Sequence, residues 1–335
     1  MIREDMNTLN FLISNGMVLQ ANMPIRIFGK GDGKVEVSFL GKTYFAESGN
    51  GEWCVELLPQ PYGGPYTMDV VLNNTVQTIE DVMIGEVVLL AGQSNAEWPV
   101  KSEKTTKSYP DENANIRFAI AGGYNEEKRF LTGMQGWQKK TKESIGRCSA
   151  IGRHLAEMIH EKLGVAVGII CCYKGASIIQ AWTDKEVVQK SKYYIPKKDR
   201  HLNYEAYGDF NQDGFLYENI FKKIGCYSLS QVVWYQGESN TGEKEGAVYL
   251  HLLEEMINDW RKQLRQENLP FTVVEIHNYF YREDEGWYSI QRAQKQANTI
   301  PFVRVVENED CEEPKEIHPS DKYKISKRIF ETMQY

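Results

Sequence analysis

Between residues 11 and 82 apolar and polar positions alternate in short runs separated by turn signals. In "KVEVSFL" Val35, Val37 and Phe39 share one face, and in "EWCVELL" Trp53, Val55 and Leu57 do the same. "PIRIFGK", "GKTYFAE" and "YTMDVVLN" are runs of similar length, punctuated by "GDGK", by Asn50-Gly51 and by Gly63-Gly64-Pro65. Alternation with a period of two predicts antiparallel strands with one buried face. Residues 1–82 therefore read as a small N-terminal β module.

From residue 83 the pattern changes. "IGEVVLLAG", "VAVGIICCYKG", "SQVVWYQGESN" and "PFTVVEIHNY" are near-continuous apolar runs, as expected of strands buried on both faces of a parallel sheet. Between them lie helical stripes, Ile151, Leu155, Met158, Ile159 and Leu163 in one, Tyr249, Leu252, Leu253, Met256, Trp260 and Leu264 in another. Strand and helix in alternation predict an α/β fold over 83–335, a parallel sheet covered by helices. The segments 125–143 and 184–213 read as long surface loops.

Composition narrows the class of partner. The chain has 335 residues, 25% charged and 41% apolar, with a net charge of −7. That balance is ordinary for a globular protein and argues against nucleic acid or an anionic membrane as the main partner. The N-terminus shows no basic stretch followed by a long apolar core, and no run approaches a membrane span. Six cysteines, Cys54, Cys148, Cys171, Cys172, Cys226 and Cys311, include no C-x-x-C pair, so a reducing, cytoplasmic setting is expected. Nothing in the sequence bears on oligomeric state.

Candidate chemistry gathers at three strand ends, where open α/β sheets bind their ligands. Ser94 follows the first in "GQSNAEW"; Lys174-Gly175-Ala176-Ser177 follows the second; Gln236-Gly237-Glu238-Ser239-Asn240 follows the third. A serine nucleophile needs a base to take its proton and donors for the oxyanion that forms. Among six histidines, His318 is the best-placed base, in a loop before the final helical segment, while His277 ends a strand and can line a pocket. Competing readings exist for several residues. Gly92-Gln93-Ser94-Asn95-Ala96 nearly matches a nucleophile elbow. Glu97 and Glu238 offer the two carboxylates of a glycosidase or, alternatively, hydrogen-bonding supports. "DFNQDGFLYENI" mimics a calcium loop yet has Ile220 where a bidentate glutamate is required.

"GQSNAEW", "WYQGESN" and "EIHP", with the supporting segments "DVMIGEVVLLAGQSN", "VAVGIICCYKGASIIQAW" and "MINDWRKQL", resemble the sialate O-acetylesterase and acetylxylan esterase group of the SGNH hydrolases. The resemblance implies a flavodoxin-like three-layer sheet and a serine esterase that removes O-acetyl groups from carbohydrates. It implies Ser94 as nucleophile, His318 as base, and an oxyanion hole formed by the N–H groups of Ser94 and Gly175 with the side chain of Gln236. Gln93, Asn95, Glu238, Trp98 and Trp182 would line the substrate pocket, and no cofactor or metal would be needed. The sequence departs from the group where an aspartate usually stands three residues before the histidine: here it is Lys315. Glu316 is the nearest carboxylate and would orient the ring in a triad; the alternative is a Ser–His dyad. Sialate and acetylated xylan or oligosaccharide are the substrates this implies. A lipase- or thioesterase-like acyl hydrolase and a catalytically silent sugar-binding protein stand as further readings.

Overall fold

A computed structural model describes residues 8–335 except 49, 106, 126–129 and 133. It is a mixed α/β structure organised around one strand, Thr75–Gly92, which is 18 residues long. The first part of this strand pairs antiparallel with Gly63–Leu72 and parallel with Val18–Gln20. Its second part lies between Val167–Tyr173 and Gln231–Tyr235, parallel to both. The division expected between residues 82 and 83 thus falls inside a strand. Part of the β module is joined to the α/β part by continuous backbone hydrogen bonding, because the alternating pattern and the all-apolar pattern meet without a turn between them, while Thr8–Leu9, Ile25–Lys30 and Glu52–Leu57 form a separate three-stranded sheet.

Across the α/β part the strand order is Gln135–Lys140, Asn113–Ile120, Val167–Tyr173, Thr75–Gly92, Gln231–Tyr235, Phe271–Val274, Val303–Val306. All neighbours are parallel except the first pair, so the sheet is mixed, not purely parallel as expected. The antiparallel edge strand Gln135–Lys140 lies in the segment expected to be a loop; of that segment, 126–129 and 133 are outside the described residues. Val87 to Ala91 and Val167 to Cys172, apart from Gly168, are essentially inaccessible apolar residues, which explains their unbroken hydrophobicity.

Helix Ala150–Leu163 starts at Ser149, whose side chain accepts from the Gly152 N–H, and stops at Gly164 in the left-handed region. Its buried residues Ile151, Leu155 and Ile159 follow the expected stripe, and it packs against the last helix, Tyr323–Thr332. Helix Tyr249–Gln263 buries Trp260 among Trp182, Trp234, Phe221 and Phe271. Arg261 on the same helix donates to the Leu269 and Pro301 carbonyls.

The β module is tied to the sheet edge by Arg117, which is buried on strand Asn113–Ile120. Its guanidinium donates to the carbonyls of Ala114, Gly16 and Asp81 and to the Asp81 carboxylate at 2.6 to 3.1 Å. Removing one partner of a buried, charged network leaves several acceptors unpaired at once. Arg117→Ala is expected to cost about 3 kcal/mol of stability in urea unfolding; a loss below about 0.5 kcal/mol would show that the tie carries no weight.

Candidate active site

Gly92 ends the long strand with φ +137°, a conformation that favours glycine. A Cβ there would lie 2.0 Å from the carbonyl oxygen of Tyr235 on the neighbouring strand. This close approach lets the chain turn directly into the short helix Ser94–Glu97, with Ser94 at its first position. The Ser94 N–H is therefore one of the helix-start donors with no intrahelical acceptor.

Ser94 Oγ lies 2.8 Å from His318 Nε2, a separation suited to proton transfer from hydroxyl to imidazole. The ring of His318 stacks on Trp98, with centroids 5.3 Å apart and planes 24° from parallel. Two side chains hold the loop that carries it. Asn95 Nδ2 donates to the Ile317 carbonyl at 3.0 Å, and His277 Nε2 donates to the Glu316 carbonyl at 2.9 Å. Burial, partly opposed by that bond, brings the His277 pKa down to about 4, so this histidine is a neutral structural donor.

The Glu316 side chain is exposed, and among the described residues it makes no hydrogen bond to His318. The geometry is a Ser–His pair. Lys315 extends over the exposed ring of Phe280.

Beneath the pair Asn95 and Glu238 join Lys322, a residue that the sequence did not single out, in a buried ionic network. Lys322, 1% exposed, donates through Nζ to Asn95 Oδ1 at 2.7 Å. Asn95 Nδ2 in turn donates to Glu238 Oε1 at 2.6 Å. The amide thus bridges a cation and a carboxylate while also gripping the histidine loop. Desolvation brings the Lys322 pKa down to about 8 despite Glu238, and desolvation raises that of Glu238 despite its bonds to Asn95 and backbone N–H groups. Burial and the Lys322 charge both hold His318 below the usual histidine value, keeping it neutral and ready to accept a proton. The N–H of Lys322 is held by Glu103, which also accepts from His154.

Other expected site residues sit differently. The Gly175 N–H, adjacent to Ser94, donates to Glu97 Oε2 at 2.7 Å, and a Cβ at residue 175 would lie 3.5 Å from Ser94 Cβ. Burial raises the Glu97 pKa against the pull of that N–H and of Lys174. Gln236 does not present a free donor to the reaction centre. Its buried amide donates to Gln93 Oε1, the Ser177 carbonyl and Asn240 Oδ1 at 2.9 to 3.1 Å, and its Oε1 accepts from the Tyr249 hydroxyl. Gln93 Oε1 also accepts from the Gly237 and Ser239 N–H groups, so Gln93 and Gln236 clasp two strand ends together. Trp182 is fully buried, bonded to Ser177 and packed on Trp234 and Trp260, a core residue and not a pocket wall. Asn211, in the calcium-like segment, binds the backbone of Ala176 and Ile178, and Asp213 pairs with Arg200. Asn211 thereby anchors the strand-end turn, where Ala176 adopts φ +58°. Among the described residues no cluster of three His, Cys, Asp or Glu could hold a metal ion.

A neutral imidazole hydrogen-bonded to a serine at the carboxyl edge of a parallel sheet is equipped for acyl transfer through the hydroxyl. Comparison with known proteins agrees. The family model described as carbohydrate esterase, sialic acid-specific acetylesterase matches residues 84–333. Human sialate O-acetylesterase is 25% identical over 369 residues, covering 95% of this chain and 68% of that protein. The mouse sialate O-acetylesterase is 23% identical, covering 83% and 62%. A solved carbohydrate acetylesterase from Xanthomonas citri superposes with a TM-score of 0.81 at 26% identity, over 96% of this chain and 73% of that one. The class is a carboxylic ester hydrolase. The chain belongs to the sialic acid-specific acetylesterase family of carbohydrate esterases.

The electrostatics can be read without any substrate. In an NMR titration His318 is expected to titrate below the ordinary histidine value of 6.5, and Lys322→Met is expected to move it upward, since removing a cation favours the imidazolium. An unchanged or lowered His318 pKa in that variant would show that Lys322 does not act on the ring.

Proposed function

We propose that this protein removes O-acetyl groups from carbohydrate hydroxyls through an acetyl-enzyme on Ser94. The observation that carries the proposal is the 2.8 Å contact between Ser94 Oγ and His318 Nε2. His318 takes the serine proton as the hydroxyl attacks the acetyl carbonyl, then returns it to the departing sugar oxygen. Water activated by the same imidazole then releases acetate and restores the serine. The sheet serves in this reading as the central layer of an SGNH-type arrangement.

The developing oxyanion is received by the N–H of Ser94 and by that of Gly175, the latter passing from the Glu97 carboxylate to the acyl oxygen. Gln236 acts indirectly, by fixing the strand ends that carry these groups. In a dyad the imidazole is oriented without a carboxylate partner. Here the Trp98 face and the two tethered carbonyls of Glu316 and Ile317 limit where the ring can go. Trp98, half-buried and beside the base, also offers an apolar face to a sugar ring. The names of the relatives favour O-acetylated sialic acid as substrate, with acetylated xylo-oligosaccharides as the alternative within the same chemistry.

Acetate release from O-acetylated sialic acid, acetylated xylo-oligosaccharides and a chromogenic acetate is expected to fall by at least about 10³-fold in Ser94→Ala. A chromogenic butyrate should turn over more slowly than the acetate. Sugar binding with no acetate release by the parent protein would overturn the esterase reading in favour of a binding protein. Preference for the butyrate would point to a general acyl hydrolase.

A further inference from the structure

Two thiols from distant parts of the chain meet where the β module faces the α/β part. Cys54 Sγ and Cys226 Sγ are 3.5 Å apart although 172 positions separate them in sequence. Cys54 lies on strand Glu52–Leu57, opposite Phe28 on strand Ile25–Lys30. Cys226 follows Gly225, a few residues before the strand that leads to Gln236. Gly225 has φ +67°, and a Cβ there would lie 2.3 Å from the ring of Phe28. The glycine therefore lets this segment close on the module and brings Cys226 to Cys54.

The surroundings favour thiol chemistry at this pair over the other cysteines. Arg265 Nη1 is 4.0 Å from Cys54 Sγ, and the pair opens on a cleft of about 1420 Å³ that Phe28, Lys223 and Arg265 also line. Cys54 is half-buried, within reach of a small solute, and Cys226 is buried behind it. The Cys226 thiol bonded to Cys54, with Arg265 and Arg26 nearby, brings the Cys54 pKa down to about 7 against burial and Glu56, while Cys226 is pushed up. Thiolate character thus concentrates on the more accessible sulfur, the condition for attack on a disulfide. Cys148, Cys171 and Cys172 are buried and raised by desolvation, and Cys311 is raised as well.

We propose that Cys54 and Cys226 are a thiol-modification site that closes, on exchange with a small-molecule disulfide, into a bridge clipping the β module to the α/β part. The Cys54 thiolate attacks one sulfur of the small disulfide, forming a mixed disulfide and expelling one small thiolate. Cys226 then gives up its proton to that thiolate or to water and attacks the Cys54 sulfur, expelling the second small thiol. Two protein thiols are oxidised, one small disulfide is reduced to two thiols, and the sulfurs move from 3.5 Å to about 2.05 Å. Because the bond would close a loop of some 170 residues, it restricts the unfolded chain strongly.

The test treats the full chain with glutathione disulfide, then denatures it, alkylates the remaining thiols and maps peptides. The expected result is loss of two of the six thiols, a linked Cys54–Cys226 peptide, no retained glutathione, and a thermal midpoint raised by roughly 5 °C that dithiothreitol reverses. Cys226→Ser should instead hold a stable glutathione adduct on Cys54, and Cys54→Ser should show neither bridge nor shift. Six alkylated thiols after treatment of the parent, an adduct on Cys54 that never closes, or a bridge through any other cysteine would each overturn the proposal. None of these outcomes depends on esterase activity.

Discussion

The approach of Gly92 to the Tyr235 carbonyl is the constraint on which the site depends. No side chain fits between them, and the positive φ at Gly92 turns a deeply buried strand into a helix start within two residues. Ser94 is thereby placed at the edge of the sheet with its hydroxyl toward His318 and its N–H free of intrahelical bonding. The same strand runs back into the β module, so the module strands paired with it and the sheet edge that carries Ser94 belong to one hydrogen-bonded framework. A displacement of that strand would be transmitted to Ser94 without a flexible joint in between.

The second organising element is electrostatic. Lys322, Asn95 and Glu238 place a cation, an amide and a carboxylate in line below the serine and histidine, almost wholly out of water. Such an arrangement is poor evidence for stability, since desolvation opposes it and Glu238 Oε2 is buried without a hydrogen-bond partner among the described residues, but the bonds on either side of the Asn95 amide fix its geometry. The Asn95 amide has one orientation that satisfies both charges, and in that orientation its second N–H meets the Ile317 carbonyl. The position of His318 is thus set in part by the side chain that directly follows the serine. His277 repeats the device one residue earlier, on the Glu316 carbonyl. A base held through its own backbone has less need of a carboxylate to aim it, which accords with Glu316 turned to solvent.

Much of this was legible in the sequence because burial writes itself into residue type. The unbroken apolar runs before Gly92, Lys174 and Gln236 gave away the central strands, and the alternating runs gave away the module. What escaped notice had no such signature. The edge strand Gln135–Lys140, "QGWQKK", has one inaccessible tryptophan and no clean alternation, and Val303–Val306 is only four residues long. Lys322 looks like any surface lysine, and only its fourth place after His318 connects it to the site. Gln236 and Trp182 stand out in the sequence, but their surroundings in the fold do not. Sequence marks a polar or aromatic residue at a strand end, but not whether its hydrogen bonds are already consumed by neighbours, as those of Gln236 are.

The central claim is that Ser94 is a nucleophile activated by His318. Its most direct test is covalent capture with a small fluorophosphonate, followed by tandem mass spectrometry to locate the phosphonyl group. The account predicts one adduct, on Ser94, formed far more slowly in His318→Ala and suppressed at acid pH as the imidazole takes up a proton. An adduct on another residue, or labelling of Ser94 at the same rate without His318, would contradict it.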